Sequence, residues 1–254
     1  MAGPLEPQPG MTFLGHLDEL RRRLMWSAVA LALGFAACYP LSGRIFEIMQ
    51  RPIRPFLEPG EALAFTRLTE PFFLYLKVAA LAGTFVASPV VLLQVWLFVS
   101  PALYRNEKRY AIPFVIASTL FFLLGAAFAF ELLFPSICRF FLGEAKGFRM
   151  VVTLDEYFSL LFWTVIGVGL TFELPVLIGL LAKLGVVRAR FLVKHADVAA
   201  VVCLIVAAVI TPTPDAMTML FVAIPMFALY GVGIVVAKIV EPPREVEPSI
   251  ARPD

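Results

Sequence analysis

Charged side chains are scarce in this chain. Asp, Glu, Lys and Arg make up 16% of its 254 residues, whereas a soluble globular domain carries roughly 25%. Hydrophobic residues reach 60%, so an ordinary soluble domain is excluded and an integral membrane protein is expected. The net charge is only +2, and the sequence lacks the clustered basic face of a nucleic-acid-binding protein. We therefore expect no nucleic-acid partner.

The sequence also lacks the patterns of common catalytic and metal sites. Its two histidines, His16 and His195, have no nucleophile at a recognisable spacing, and its three cysteines are not spaced as metal ligands. No glycine-rich phosphate loop and no His-Glu-x-x-His motif occurs. We expect no enzymatic activity, no metal and no cofactor. The cysteines are expected to be small buried apolar residues, with a Cys38–Cys138 disulfide as the alternative.

Long runs without charge take the place of these motifs. A helix needs about 20 mostly apolar residues to cross a hydrocarbon core of roughly 30 Å. By this measure six membrane spans are predicted, and their even number places both termini on one side. The spans are Leu24–Gly43, Pro71–Tyr104, Tyr110–Phe130, Tyr157–Ala182, Val198–Pro214 and Ala216–Ala237.

These spans predict an all-α integral membrane protein with a single six-span domain over residues 1–254. Prolines within the spans bend helices, so we expect a curved bundle. The fifth and sixth helices are expected to be short, since only 13 residues, Val198–Ile210, precede the turn Thr211–Asp215. Residues 1–10 and 241–254 are expected to be disordered tails.

The distribution of Lys and Arg predicts the orientation in the membrane, because cytoplasmic loops are enriched in both. With both termini inside, the inner segments carry thirteen basic residues and the outer segments eight, Lys77 included. We therefore expect a multi-pass protein of the cell membrane with both termini in the cytoplasm.

Two carboxylates at the cytoplasmic edge are candidate ligand-binding residues. Glu19 lies in a charged segment, His16–Arg23, directly before the first span, and Glu107 lies in the inner loop after the second. A carboxylate binds a guanidinium through two parallel hydrogen bonds, so this pair suits a ligand with two adjacent arginines. The alternative for Glu107 is a solvated loop charge. The alternative for Glu19 is local pairing with Arg22 or Arg23 at helical spacing.

Glu173 is the third candidate, because it is the one acidic residue inside a predicted span and ionisable residues in membranes tend to be functional. It could contact a partner helix, serve as the proton or cation site of a small transporter, or form an internal hydrogen bond beside Pro175. Transporters of that kind usually contain internal repeats. The two halves of this sequence show no convincing self-similarity.

Several motifs, in order and spacing, resemble those of the TatC family, the signal-peptide receptors of the twin-arginine protein translocase. The resemblance extends from about Met11 to Val240. The motifs are His16-Leu17-x-Glu19-Leu20-Arg21-x-Arg23, Gln94-Val95-Trp96-x-Phe98-x-x-Pro101-Ala102-Leu103-Tyr104 with Glu107, Phe172-Glu173-Leu174-Pro175, Thr211-Pro212-x-x-Asp215 and Ala223-Ile224-Pro225-Met226.

The resemblance implies six helices in a curved, glove-like arrangement with cytoplasmic termini. It also implies a core receptor subunit that binds the twin-arginine signal peptides of folded proteins at the cytoplasmic face. Such a subunit would assemble in the membrane lipid with single-span TatA-type and TatB-type partners into a homo- or hetero-oligomer. Export would be driven by the proton motive force.

The resemblance also implies site residues. Glu19 and Glu107 help to form the twin-arginine site, and Arg21, Arg23 and Phe98 are functionally sensitive positions on the same side. Asp18, a second acid beside Glu19, leaves open which carboxylate meets the ligand. The other implied positions are Glu173 for contact with a partner helix, Pro52 in the first outer loop and Asp215 in the last outer turn.

Overall fold

The computed structural model describes residues 13–57, 63–99, 111–144, 151–211 and 215–241. They fall into two compact units, residues 1–169 and 170–254. The predictions for the tail residues 1–10 and 242–254, and for Glu107, concern positions outside the described residues. The prediction of one curved six-span domain stays a prediction.

The regular structure of the described residues is helical apart from one isolated parallel bridge between Ala64 and Thr153. In the first unit a π-helical turn, Ala129–Leu133, joins two α-helices, Ala111–Phe128 and Phe134–Glu144. The helices of the first unit are α1 (Phe13–Cys38), α2 (Ser42–Met49), α3 (Glu70–Val99), α4 (Ala111–Phe128), α5 (Phe134–Glu144) and α6 (Leu154–Thr171). Those of the second are α7 (Leu174–Lys183), α8 (Ala189–Lys194), α9 (Ala196–Ile210) and α10 (Ala216–Val240).

Five helical stretches of the described chain are long and apolar enough to cross a membrane, which confirms the all-helical membrane fold. A sixth apolar helix, α9, has 15 residues, or about 22 Å at 1.5 Å per residue, and is short as predicted. The five long stretches are Gly15–Met49, Glu70–Phe98, Ile112–Gly143, Leu154–Lys183 and Ala216–Val240.

The prediction that the last helix is also short is wrong. α10 runs for 25 residues with Pro225 inside it, a length of about 37 Å. A proline removes one backbone donor and bends a helix, but here the helix continues on both sides of the ring. The helix then extends past Ala237 through Lys238, whose long side chain is tolerated near a helix end.

α1 and α3 pack closely in the first unit because glycine meets glycine at their crossing. A Cβ atom added to Gly34 would lie 2.5 Å from the Gly83 carbonyl oxygen, and one added to Gly83 would lie 2.6 Å from the Phe35 nitrogen. Ala79 and Ala87, one turn to either side of Gly83, are buried. The small-residue stripe of α3 therefore brings two backbones of the same chain together.

In the second unit α10 packs against α7, α8 and α9. Ala182, Ala189 and Ala237 form a buried core with Ile178. The Tyr230 hydroxyl donates to the Leu192 carbonyl at 2.8 Å, which ties α10 to the C-terminal half of α8.

Candidate functional site

The Gly34–Gly83 crossing fixes which side chains of α1 and α3 face each other. Arg23 lies eleven positions before Gly34 on α1, and Gln94 lies eleven positions after Gly83 on α3. Eleven positions are about three helical turns. Arg23 therefore lies on the same face of α1 as Gly34, and Gln94 lies on the same face of α3 as Gly83. The two helices run in opposite directions, and Arg23 therefore meets Gln94.

Arg23 joins α1 to α3 at this point. Its Nη2 donates to Glu19 Oε1 at 3.1 Å and its Nη1 donates to Gln94 Oε1 at 3.2 Å. The Arg23 and Glu19 side chains are only 16% and 13% exposed. Within the described part of the chain, Glu19 Oε2 and Arg23 Nε are buried without a hydrogen-bond partner. The alternative interpretation of Glu19, local pairing with Arg22 or Arg23, is thus realised with Arg23, and it leaves the second carboxylate oxygen without a donor in the described structure. That Glu19 binds a ligand stays a prediction.

An aromatic pair lies next to this ion pair, towards the beginning of α1. The rings of His16 and Phe98 stack with centroids 4.5 Å apart and an interplanar angle of 27°. His16 precedes Glu19 by three residues, and Phe98 follows Gln94 by four, so each lies about one turn further along the facing surfaces. His16, Glu19 and Arg23 of α1 and Gln94 and Phe98 of α3 form what we call the α1–α3 polar face.

The structure separates the other charged residues of the segment from this face. Asp18, Arg21 and Arg22 are exposed. Asp18 and Arg21 lie one and two positions from Glu19 and point to other sides of the helix. Arg22 lies three positions from Glu19, but in the described structure the ion pair of Glu19 is with Arg23. Glu19, rather than Asp18, is therefore the carboxylate of the α1–α3 polar face. Arg21 lies in the same helical turn as Glu19 but faces away from α3.

Two members of the face were missing from the predicted site residues, although both lie in the quoted motifs. Gln94 is the second acceptor of Arg23, and His16 stacks on Phe98. The signal for Gln94 was its i, i+4 spacing to Phe98, which places the two on one face of a helix.

Glu173 lies at a break in the helix, whereas the sequence predicted the interior of a continuous span. α6 ends at Thr171 and α7 begins at Leu174. Pro175 accounts for the break, since it lacks a backbone donor and its ring clashes with the preceding turn. The Glu173 carbonyl accepts from Leu177 N at 2.8 Å, so the residue opens α7. Its side chain is half-buried.

Asp215 and Pro52 each hold local structure. Asp215 Oδ1 accepts from Thr218 N at 2.7 Å, which makes Asp215 the N-cap of α10. Pro52 is buried in the turn after α2, where the Gln50 carbonyl accepts from Ile53 N at 3.2 Å and Arg54 N at 3.1 Å. The helix cap explains the residue type at Asp215.

Among the described residues no group of three or more His, Cys, Asp or Glu side chains could hold a metal ion. The three cysteines are buried free thiols, so the alternative of a Cys38–Cys138 disulfide is not realised.

The five long apolar helical stretches define a multi-pass membrane protein, and the α1–α3 polar face lies where two of its helices contact each other. Over residues 15–225 the sequence matches the family model described as Sec-independent protein translocase protein (TatC). The chain belongs to the TatC family.

Proteins that are similar over nearly the whole chain support this membership. The Sec-independent protein translocase protein TatC of Koribacter versatilis is 42% identical over 240 residues, which cover 93% of this chain and 89% of that protein. The TatC of Aquifex aeolicus is 34% identical over 234 residues, covering 90% and 95%. A crystal structure described as the twin arginine translocase receptor TatC superposes with a TM-score of 0.79 at 34% identity, covering 89% of this chain and 99% of that chain.

Membership in the family confirms the resemblance read from the motifs. The chain is a TatC subunit of the Sec-independent twin-arginine translocase, a multi-pass membrane component of a transport system and not an enzyme.

Proposed function

We propose that this chain is the core receptor subunit of the translocase and binds the twin-arginine signal peptides of folded proteins at the cytoplasmic face of the cell membrane. The observation that carries the proposal is the position of Glu19. Its carboxylate is held against α3 and has one oxygen, Oε2, without a donor in the described part of the chain. A guanidinium supplies the missing donor.

In this proposal Glu19 and Glu107 each receive one arginine of the signal peptide. A hydrogen bond to a charged group contributes roughly 1.5–3 kcal/mol. Lysine lacks the planar fork that binds a carboxylate through two bonds, so a twin-lysine peptide binds more weakly. The stacked rings of Phe98 and His16 line one side of this site. Arg21 and Arg23 lie on the same helix as Glu19.

The membrane topology proposed for this function has six spans with both termini in the cytoplasm. α9 serves as the fifth span despite its length of 15 residues, a mismatch that local thinning of the bilayer or oligomerisation accommodates. The excess of basic residues in the inner segments supports this orientation.

We further propose assembly with single-span TatA-type and TatB-type subunits, with export driven by the proton motive force. Glu173 supports a contact with a partner helix, because the break between α6 and α7 places a carboxylate amid apolar residues. A polar side chain among apolar residues is well placed to receive a hydrogen bond from a second helix. Crosslinking to a TatB-type subunit from a photoreactive residue at position 177, an exposed position one turn after Glu173, would support this contact if it is weaker with Glu173→Ala than with Glu173 retained. Equal crosslinking in both would contradict it.

A binding assay with a fluorescent twin-arginine peptide tests the receptor site directly. The double variant Glu19→Ala, Glu107→Ala removes both proposed acceptors. At 1.5–3 kcal/mol for each, affinity is expected to fall about 100-fold or more. Asp18→Ala is the matched control, because it removes an exposed acid next to Glu19, and it should change affinity less than about twofold. Wild-type affinity in the double variant would refute the proposed site.

A further inference from the structure

We propose that Arg23 is an internal competitor for the receptor carboxylate. In the ligand-free protein it occupies Glu19, and it moves onto Gln94 alone when an arginine of the signal peptide binds. The inference rests on the proposed function, and it assigns to Arg23 and Gln94 the control of how tightly that site binds its ligand.

The first observation is chemical identity. Arg23 places on Glu19 the same guanidinium group that a twin-arginine ligand brings. Arg23 and a ligand arginine would share the acceptor oxygens of one half-buried carboxylate. Because their like charges also repel, binding of one guanidinium weakens the binding of the other. Arg22, a neighbour with the same charge, is exposed and makes no ion pair with Glu19 in the described structure, so the competition is specific to Arg23.

The second observation is that Arg23 holds Glu19 loosely. A charge-assisted N–H to carboxylate bond is usually about 2.7–2.9 Å long and often paired with a second, parallel bond. Here a single bond of 3.1 Å joins Arg23 Nη2 to Glu19 Oε1, while Nη1 is turned to Gln94. A ligand guanidinium that reaches both carboxylate oxygens makes two bonds where Arg23 makes one. The exchange therefore favours an incoming arginine.

The third observation is the role of Gln94 as a second acceptor. Its side-chain oxygen lies 3.2 Å from Arg23 Nη1, and it is neutral. A guanidinium displaced into a half-buried place without any acceptor would carry a large desolvation penalty. Gln94 lowers that penalty without providing a negative charge that would hold Arg23 permanently. Gln94 thus makes displacement of Arg23 easier, and its loss should leave Arg23 more firmly on Glu19.

The competition lowers the affinity for every peptide by one common factor. When the binding-competent form is only a fraction of the protein, the apparent affinity of every ligand falls by that fraction. The preference for arginine over lysine has a separate source, the second hydrogen bond that the planar guanidinium makes to the carboxylate. Removing Arg23 should therefore improve the binding of the twin-arginine and the twin-lysine peptide by the same factor.

The test uses the purified full-length chain and fluorescent twin-arginine and twin-lysine peptides. If Arg23 occupies Glu19 for about 70–90% of the time, Arg23→Gln should tighten the binding of both peptides by about three- to tenfold and leave the preference for arginine over lysine unchanged. Gln94→Leu should weaken twin-arginine binding by a similar factor. The double variant Arg23→Gln, Gln94→Leu should bind like Arg23→Gln alone, since Gln94 acts only through Arg23.

Arg22→Gln is the matched control: it removes the same charge one residue away and should leave both affinities within about twofold of wild type, because an exposed charge is screened.

Should Arg23→Gln fail to fold, Arg23→Lys serves instead. Lysine keeps the charge but cannot bridge Glu19 and Gln94 in the same way, so it should give a smaller increase in affinity. Twin-arginine binding that is unchanged or weaker in the folded Arg23 variants would overturn the competition while leaving the receptor function intact. Absence of binding by the wild-type chain would instead overturn the proposed function, and this inference with it.

Discussion

Two helix pairs, one in each unit, cross at glycine, but the glycines meet different kinds of atoms. A Cβ atom on Gly83 of α3 would lie 2.6 Å from the nitrogen of Phe35 and 2.8 Å from the carbonyl carbon of Gly34, both backbone atoms of α1. A Cβ atom on Gly233 of α10 would lie 2.5 Å from Cδ1 of Ile178 on α7. The first pair is in contact backbone to backbone, and the second through the end of a side chain.

The backbone contact of Gly34 and Gly83 fixes how α1 and α3 are aligned, whereas the contact of Gly233 with Ile178 only fills space. A side-chain terminus can rotate away from an added methyl group, whereas a helix backbone can yield only if the whole helix moves. In the first unit such a movement reaches the α1–α3 polar face, since Arg23 and Gln94 lie on the same faces of α1 and α3 as the two glycines. In the second unit, the described residues of α7 and α10 include none of the residues proposed to bind arginine.

Gly83→Ala should have the largest effect. Overpacking in a closely packed interior is destabilising by typically 1–3 kcal/mol, and contact with backbone places this substitution at the upper end. We expect a lower midpoint of thermal unfolding in detergent and a twin-arginine peptide affinity at least about tenfold weaker, equivalent to about 1.4 kcal/mol.

Gly43→Ala, on α2 of the same unit, is the control for Gly83→Ala, because a Cβ atom there has nothing within 4 Å. It should leave both the midpoint and the affinity near wild type. If Gly83→Ala binds the peptide as wild type does, the crossing does not set the geometry of the site.

Much of this architecture could be predicted from sequence, because the physical cause was local. The apolar runs predicted the spans. Ala79, Gly83 and Ala87 lie at a spacing that permits a close helix contact, and the spacing of Glu19 and Arg23 permits the pairing that was the alternative for Glu19. The orientation of Glu19 towards α3, however, depends on which helix packs against the stripe.

The remaining features depend on tertiary structure. The small-residue stripe of α3 does not specify Gly34 as its partner. Without that pair, the sequence does not predict that Gln94 lies opposite Arg23.

Two prolines also show that sequence alone does not determine the backbone. Pro175 is followed by a helix and preceded by a break at Glu173, whereas Pro225 lies within an unbroken α10. A proline predicts a perturbed backbone, but packing decides between a bend and a break.

Gly233→Ala should have a smaller effect than Gly83→Ala despite its similarly short distance. Rotation of the Ile178 side chain relieves the contact at a price of about 0.5–1.5 kcal/mol for an off-rotamer torsion. The midpoint of unfolding should fall slightly, and the peptide affinity should stay within about twofold of wild type.

A double-mutant cycle checks this mechanism. Ile178→Val removes the Cδ1 atom that the new methyl group would meet, so Gly233→Ala should be less destabilising in the Ile178→Val background than in wild type. Equal destabilisation in both backgrounds would show that the glycine is needed for the backbone of α10 and not for the contact with α7.

Gly231→Ala, two residues earlier on α10, should have the smallest effect and the opposite sign. Gly231 is exposed, and a Cβ atom there has nothing within 4 Å, so only the intrinsic preference for helix changes. Alanine is favoured over glycine inside a helix by up to about 1 kcal/mol, and the midpoint of unfolding should stay the same or rise slightly. A clear fall in the midpoint would mean that the exposed side of α10 packs against another protein surface in the purified sample. In that case, dilution in detergent should reduce the difference between Gly231→Ala and wild type, because a contact between molecules weakens with concentration.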